Sequence, residues 1–427
     1  MNRAESSWSL LPASPEESRA PVCIVVHAHP DLSKGGGETA AYREFLALRA
    51  AGHEVSLVAA AEFGGPDHIL PHAPGEFLFS TAGMAEDRLF WADIADRREL
   101  VRFLARQRAR IFHFHHLWRI GLDLVAELME ARPDARFVIT LHEMLAICAH
   151  HGQMIRTRGR ELCRAAAPTR CSACFPEWQP RHFVLRRAAF LETLRRFEAV
   201  VYPSDFIRQR YRDWGLAPAR DVVLENYLGD ALADVPRRQA ADPALAGHFA
   251  FFGQPTPFKG LDVLLRGFAL AVAAAPGLTL SVFGCEREEV LGMFPTLAPA
   301  LDQAGPALSF FGRYDQADVI HLMQGAGWVV VPSIWWENSP VVIQEAMRAG
   351  TPLIVSDIGG MAEKVRPGLD GLHFRRGSPP NLASVLRQAA DPVRHATISA
   401  SLNDSIARAE FLVGLERAFG LMPAEAE

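Results

Sequence analysis

The chain alternates short apolar runs with amphipathic stretches, and the apolar runs are continuous rather than every second residue. Continuous runs of branched and aromatic residues mark strands covered on both faces, as in parallel α/β sheets. From residue 21 such runs fall at 22–27, 55–59, 111–115, 137–141, 200–203 and 222–224. Between them, apolar positions spaced three and four apart predict helices, for example at 39–51, 99–109 and 121–131. A second series starts near residue 248, with strands predicted at 249–253, 278–283, 308–311, 328–331 and 353–356. The economical architecture is two tandem doubly wound, Rossmann-like α/β domains facing each other across a cleft. The expected division is a first domain at 21–229, a Pro/Ala/Arg-rich linker at 230–247 and a second domain at 248–400. Residues 401–427 have helical periodicity, and packing back onto the first domain is one expectation for them. Residues 1–20 are polar, rich in Ser and Pro, and read as a disordered leader without an apolar signal core.

Composition narrows the class without changing the fold. A chain of 427 residues exceeds one ordinary core. With 49% hydrophobic and 22% charged residues it has the balance of a soluble globular protein. A formal net charge of −5 argues against a nucleic-acid partner. No apolar run reaches the roughly 18 residues of a membrane helix, so the cytoplasm is the expected compartment.

Chemistry concentrates after the strand at 328–331, where the chain reads PSIWWENSPVVIQEAMRAGTPLIVSD. Ser339 is a good N-cap, Pro340 suits a first helical position, and Gly350 suits the end, so a helix at about 340–349 is expected. Its first N–H groups, those of Val341 to Ile343, offer a site for a diphosphate. Glu345 lies one turn further on, and Glu337 precedes the cap beside Asn338. Taken singly, each glutamate reads equally well as a surface or dipole-compensating residue; the string as a whole favours a site.

The string ENSPVVIQEAMRAGTPLIVSDIGGMAEKVRPGLDGLHF resembles the signature of the retaining glycosyltransferase family 4, which has the GT-B fold. The resemblance implies that Glu345 binds the donor ribose, Glu337 contacts the transferred sugar, and Asn338, Ser339, Val341 and Val342 frame the diphosphate. FFGQPTPFKGLDVLLRGFA resembles the family's diphosphate-binding strand-loop-helix, with Lys259 as its basic residue. Gln254 stands where many members have Arg, and Gln cannot neutralise charge. That leaves subfamily variation, an arginine from elsewhere, or a weakened enzyme.

In the first half, Gly35, Gly36 and Gly37 precede a helix, and GGGET in register with Gly52-His53 resembles the family's first loop. The dinucleotide fingerprint G-x-G-x-x-G is absent. ITLHEM resembles the family's Thr-x-His-Asp segment and implies that His142, after a strand, lies near the transferred sugar. By itself, a strand-end histidine is as well explained by packing. His113 and His115 would share one strand face, as metal ligands can, although packing and acceptor contacts are the favoured reading.

Cys148, Cys163, Cys171 and Cys174 fall in one insertion, 148–174, closing on C-x-x-C. Structural zinc, free thiols and disulfides all fit that spacing. A basic amphipathic helix at 181–199 reads as a solvated outer helix or as a contact with the inner face of an anionic membrane. The implied activity needs no cofactor for catalysis. It takes a UDP-, GDP- or ADP-linked sugar and a glycan, lipid-linked or small-molecule acceptor, as in polysaccharide synthesis. A non-catalytic nucleotide-sugar-binding protein and an epimerase remain open; the latter would need carboxylate acid/base partners in the first domain, where only Glu143 offers one.

Overall fold

The computed structural model describes residues 20–33, 35–65, 67–82, 97–159 and 161–422. Residues 1–19 of the expected leader and 423–427 of the C-terminal segment lie outside the described residues. Among the described residues, fourteen strands form two sheets. The first takes β1 (Val22–Val26), β2 (Val55–Ala61), β3 (Ile69–Ala73), β4 (Glu76–Ser80), β5 (Ile111–Phe114), β6 (Arg136–Thr140), β7 (Ala199–Tyr202) and β8 (Asp221–Val223). Their order is β3-β4-β2-β1-β5-β6-β7-β8, parallel except for the β3–β4 hairpin. The second holds β9 (His248–Phe252), β10 (Thr279–Phe283), β11 (Leu308–Phe310), β12 (Trp328–Val331), β13 (Leu353–Ser356) and β14 (Gly371–Phe374), in the order β11-β10-β9-β12-β13-β14. Among the parallel strands each order reverses once, between β1 and β5 and between β9 and β12, and ligands of such sheets bind beyond the strand ends at that reversal.

Every residue of β1, β5, β7, β12 and β13 is buried, which is why these segments read as continuous apolar runs. The pattern missed β3, β4 and β14. ILPHA and EFLFS carry Pro, His and Glu around the Gly75 turn (φ +82°), and GLHF is short and half-covered. The segment 230–247 is not featureless; it holds a helical turn at Asp230–Ala233 and another at Pro243–Leu245.

The helix Arg408–Ala418 lies under the first sheet, not the second. Phe411, Leu415 and Phe419 join a core with Val22, Ile24, Ile111 and Val201. Arg136 donates to the carbonyls of Phe419 and Gly420 at 3.0 and 3.1 Å, capping the end of this helix against β6. Phe419 is 1% exposed and meets the His113 ring edge-on at 5.4 Å. Phe419→Ala should cost about 3–5 kcal/mol. Hydrogen exchange should then show lost protection in β1 and β5 while β9 and β12 keep theirs; equal loss in both sheets would contradict this placement.

Candidate functional site

Both strand-order reversals open on one cleft, and its two walls touch. On the second-sheet side, Gly260 (φ +70°) approaches so closely that a Cβ there would lie 1.9 Å from the Pro332 carbonyl. That approach ties the Lys259 turn to the end of β12 and sets Lys259 beside Glu337. Glu337 is 7% exposed. Its Oε1 accepts from Lys259 Nζ at 2.7 Å, Ser333 Oγ at 2.8 Å and Trp335 Nε1 at 2.9 Å. Burial raises its pKa, but the Lys259 charge and the three donors outweigh burial and hold it below the usual carboxylate value. None of the three donors is on Oε2.

The helix begins at Val341 rather than Pro340, which instead takes the N-cap place with extended backbone. Ser339 is not the cap. Its hydroxyl donates to Glu225 Oε1, on the segment crossing from the first sheet to the second. Proline has already fixed the backbone of the cap residue, so the neighbouring hydroxyl is free to serve the crossing. The Ile343 N–H turns back to the Pro340 carbonyl at 3.0 Å, which leaves Val341 and Val342 as the opening donors of the helix. Gly350 closes it in the left-handed conformation, φ +75°.

Glu345 is 4% exposed and accepts from Gln316 Nε2 at 2.6 Å. Burial pushes its pKa up, against the pull of Arg43 and Gln316. Arg43 comes from the first helix, Gly36–Ala50, and crosses the cleft against Gly229. It is an arginine from elsewhere, close enough to Glu345 to act on its charge; Gln254 itself is exposed. Glu225, Lys364 and Gln316 were not foreseen. Glu225 Oε1 also takes Gln344 Nε2 at 2.9 Å, and Lys364 pairs with Oε2.

Across the cleft, His142 follows β6 and is joined to the other wall through its backbone. Asn338 Nδ2 donates to the His142 carbonyl at 2.9 Å, and Ser204 Oγ donates to Asn338 Oδ1. Gly37 lets His27 and His142 close over the helix start; a Cβ there would meet them at 3.3 and 3.6 Å. Gly35 N–H and Ser33 Oγ both donate to Glu38 Oε1, at 2.7 and 2.6 Å, so Glu38 folds over the first turn of that helix.

Buried carboxylates partner the histidines. His113 Nδ1 lies 2.6 Å from Glu44 Oε1 and His115 Nε2 3.2 Å from Oε2. His115 Nδ1 in turn is 3.0 Å from His142 Nε2. Burial pushes Glu44 up, but the two imidazoles outweigh burial and hold it well down. Burial, with the other histidines nearby, lowers the His142 pKa well below its ordinary value, so the ring is neutral at neutral pH. The assignment that satisfies this chain has His142 Nε2–H donating to His115 Nδ1. Glu38 and Glu76, with Glu44, are thus carboxylates next to histidines that the sequence pattern did not single out.

The four cysteines are free thiols lining one cavity of about 100 Å³. Among the described residues, the groups whose ligand atoms gather within 4.8 Å are His29–Asp31–His72 and Glu44–His113–His115, not the cysteines. The insertion bears on the cleft through Trp336, whose Nε1 donates to the Cys163 carbonyl at 3.0 Å while Arg210 lies over its ring.

This pair of sheets with a polar cleft between their reversal points is the GT-B architecture, and solved structures agree. Sucrose-phosphate synthase from Thermosynechococcus elongatus superposes with a TM-score of 0.66 at 16% identity, over 94% of this chain and 98% of that one. Anabaena HepE in complex with UDP and glucose gives 0.59 at 14% identity, over 94% and 96%. The chain resembles glycosyltransferase family 4 over both sheets: the profile described as Glycosyltransferase Family 4 matches residues 34–227, and Glycosyl transferases group 1 matches 246–391. Among curated relatives, the D-inositol 3-phosphate glycosyltransferase of Corynebacterium aurimucosum is 29% identical over 180 residues, 41% of this chain and 42% of that protein. The enzyme of the same name from Mycobacterium tuberculosis is 31% identical over 179 residues, 40% and 36%. The match therefore spans less than half the length of these relatives.

Glu345 and Glu337 should affect stability with opposite pH dependence. A folded pKa raised above the unfolded 4.5 gives a contribution fully present below 4.5 and lost as pH rises through the folded value. Glu345→Gln should therefore raise the unfolding temperature at pH 7, with the gain vanishing as pH falls below 4.5. The lowered Glu337 pKa gives a contribution present above 4.5 and lost as pH falls through the folded value. Glu337→Gln should lower the unfolding temperature at pH 7, and the gap should narrow in acid. Melting curves from about pH 3 to 8 read both signs.

Proposed function

We propose that the protein is a retaining glycosyltransferase that moves a sugar from a nucleotide-sugar donor to a glycan, lipid-linked or small-molecule acceptor. The observation that carries this reading is Glu337. Its Oε1 is anchored by three donors while Oε2 takes none of them, so one oxygen is held and the other is available to accept sugar hydroxyls. In this reading the diphosphate lies at the Val341–Val342 end of the helix and competes with Glu337 for Lys259. When Lys259 turns to phosphate, Ser333 and Trp335 still hold Glu337 in place. Glu345 receives the ribose hydroxyls, and Arg43 and Lys364 bring the charge that Gln254 lacks.

His142 contributes a neutral imidazole from the acceptor side. The acceptor hydroxyl would enter on the face from which the nucleoside diphosphate departs, the placement that retention requires. Retention itself rests on the family. UDP is the first nucleotide to test, because HepE and Staphylococcus aureus TarM, both similar in fold, were solved with UDP. Inositol phosphate is an acceptor class to include, given the names of the curated relatives.

Two subsidiary proposals stand on narrower ground. Zinc at Cys148, Cys163, Cys171 and Cys174 would be structural, drawing the insertion's thiols together across their cavity. Contact with the inner face of a membrane would use the helix Pro180–Arg195, where Val184 and Leu185 are 54% and 62% exposed. That helix offers fewer cations than its sequence promised, since Arg186, Arg187 and Arg195 are bound to carbonyls of the protein itself.

A thermal-shift panel of UDP-, GDP- and ADP-sugars tests the donor site. One nucleotide class should stabilise the wild type. Glu345→Ala should weaken that donor about tenfold or more, losing charged hydrogen bonds of roughly 1.5–3 kcal/mol. Glu337→Ala should keep donor affinity within a few-fold and lose turnover. Full activity in both variants would place the site elsewhere.

A further inference from the structure

A second cluster lies on the edge of the first sheet, outside the cleft residues described above. It is built by a loop, an edge strand and a bulge. His29 and Asp31 follow β1. His72 sits in β3, where the register with β4 shifts between Pro71 and Ala73. A bulge at an edge strand re-aims the residue it carries, and here it turns His72 towards Asp31. His72 Nε2 lies 2.9 Å from Asp31 Oδ2, and the His29 and His72 rings stand 4.5 Å apart, edge to face.

The buried side of the cluster is fixed. His29 is 1% exposed and Glu76, the first residue of β4, is 4% exposed. His29 Nε2 lies 3.0 Å from Glu76 Oε2, so the ring proton belongs on Nε2 and the lone pair on Nδ1. That lone pair faces Asp31 Oδ2 at 3.5 Å. Two acceptors facing each other repel unless something positive lies between them. The donor on Nδ1 is the Asp31 backbone N–H at 3.2 Å, the outer limit of ordinary hydrogen bonds. A spacing of 3.5 Å is close to the roughly 3.4 Å edge of a tetrahedron with metal–ligand bonds of about 2.1 Å.

We propose that His29 Nδ1, Asp31 Oδ2 and His72 Nε2 form a binding site for a borderline divalent transition-metal ion such as Zn²⁺ or Co²⁺. Its three ligand atoms already lie within 4.8 Å of one another. Glu76 plays the outer role that orients a ligating imidazole and raises its basicity. Asp31 is 67% exposed and His72 28%, so an ion enters from bulk water and keeps water in its remaining position. Bound metal would fasten the loop after β1 to the edge strand β3, close to where Ser33 and Gly35 hold Glu38. The site is independent of the donor assignment, and its test uses no sugar.

The full-length protein, stripped with chelator, is titrated with Co²⁺ and Zn²⁺ at micromolar concentration. Visible cobalt spectra and elemental analysis report what binds. Thiolate ligands give intense charge-transfer bands, so the Cys171→Ser/Cys174→Ser variant separates this site from the cysteine cavity. That variant should hold about one equivalent of metal with nitrogen and oxygen ligands only. Adding His72→Ala or Asp31→Asn should abolish it, with an unchanged far-ultraviolet circular dichroism spectrum. If the cysteine variant misfolds, the same loss is read as a one-equivalent difference between wild type and the His72→Ala single variant. Occupancy that needs millimolar ion, or that is the same with and without His72, overturns the proposal.

Discussion

Glu337 carries a carboxylate into a place where little water reaches it, and the second-sheet wall of the cleft is arranged around keeping it charged. Three donors from three directions meet one of its oxygens: Lys259 from the turn after β9, Ser333 from the end of β12, and Trp335 from its own loop. A buried charge without such partners is displaced towards its neutral form or destabilises the fold. Because Lys259 belongs to one strand connection and Glu337 to another, the pair also fixes how those two loops sit. The close Gly260 approach to Pro332 is part of the same constraint.

The first-sheet wall solves the same problem with imidazole instead of lysine. Glu44 is enclosed by His113 and His115, and His115 continues to His142, which opens on the cleft. The two solutions differ in charge. The Lys259–Glu337 pair is an ion pair with a lysine that is partly exposed. The Glu44 chain ends in a neutral ring, whose use is to donate or accept a hydrogen bond.

The walls are held together by polar contacts and a few aromatic ones. Asn338 joins the His142 carbonyl to Ser204, Glu363 caps the helix Asp205–Trp214 through the Asp205 and Phe206 N–H groups, and Trp336 stacks on Phe206. Such a seam can open at lower cost than an apolar core, because water can replace each hydrogen bond. Trp336 also binds the cysteine insertion, so the order of that insertion bears directly on the loop that carries Glu337.

The sequence by itself determined the two sheets, since strands buried on both faces must be written as continuous apolar runs, and nearly all of the central strands were legible. It also singled out Glu337 and Glu345 as candidates, from a helix start and its preceding loop, and Lys259 through the family resemblance; the structure sets Lys259 beside Glu337. It did not show the β3–β4 hairpin, whose half-exposed strands carry polar residues, nor that Ser339 serves Glu225 instead of capping a helix. Only the tertiary structure decided which charges meet. Glu44 and His113, Arg43 and Glu345, and Glu225 and Lys364 are far apart in the chain. Their pairing follows from which strand ends the sheet order brings together, and residue spacing carries no trace of it.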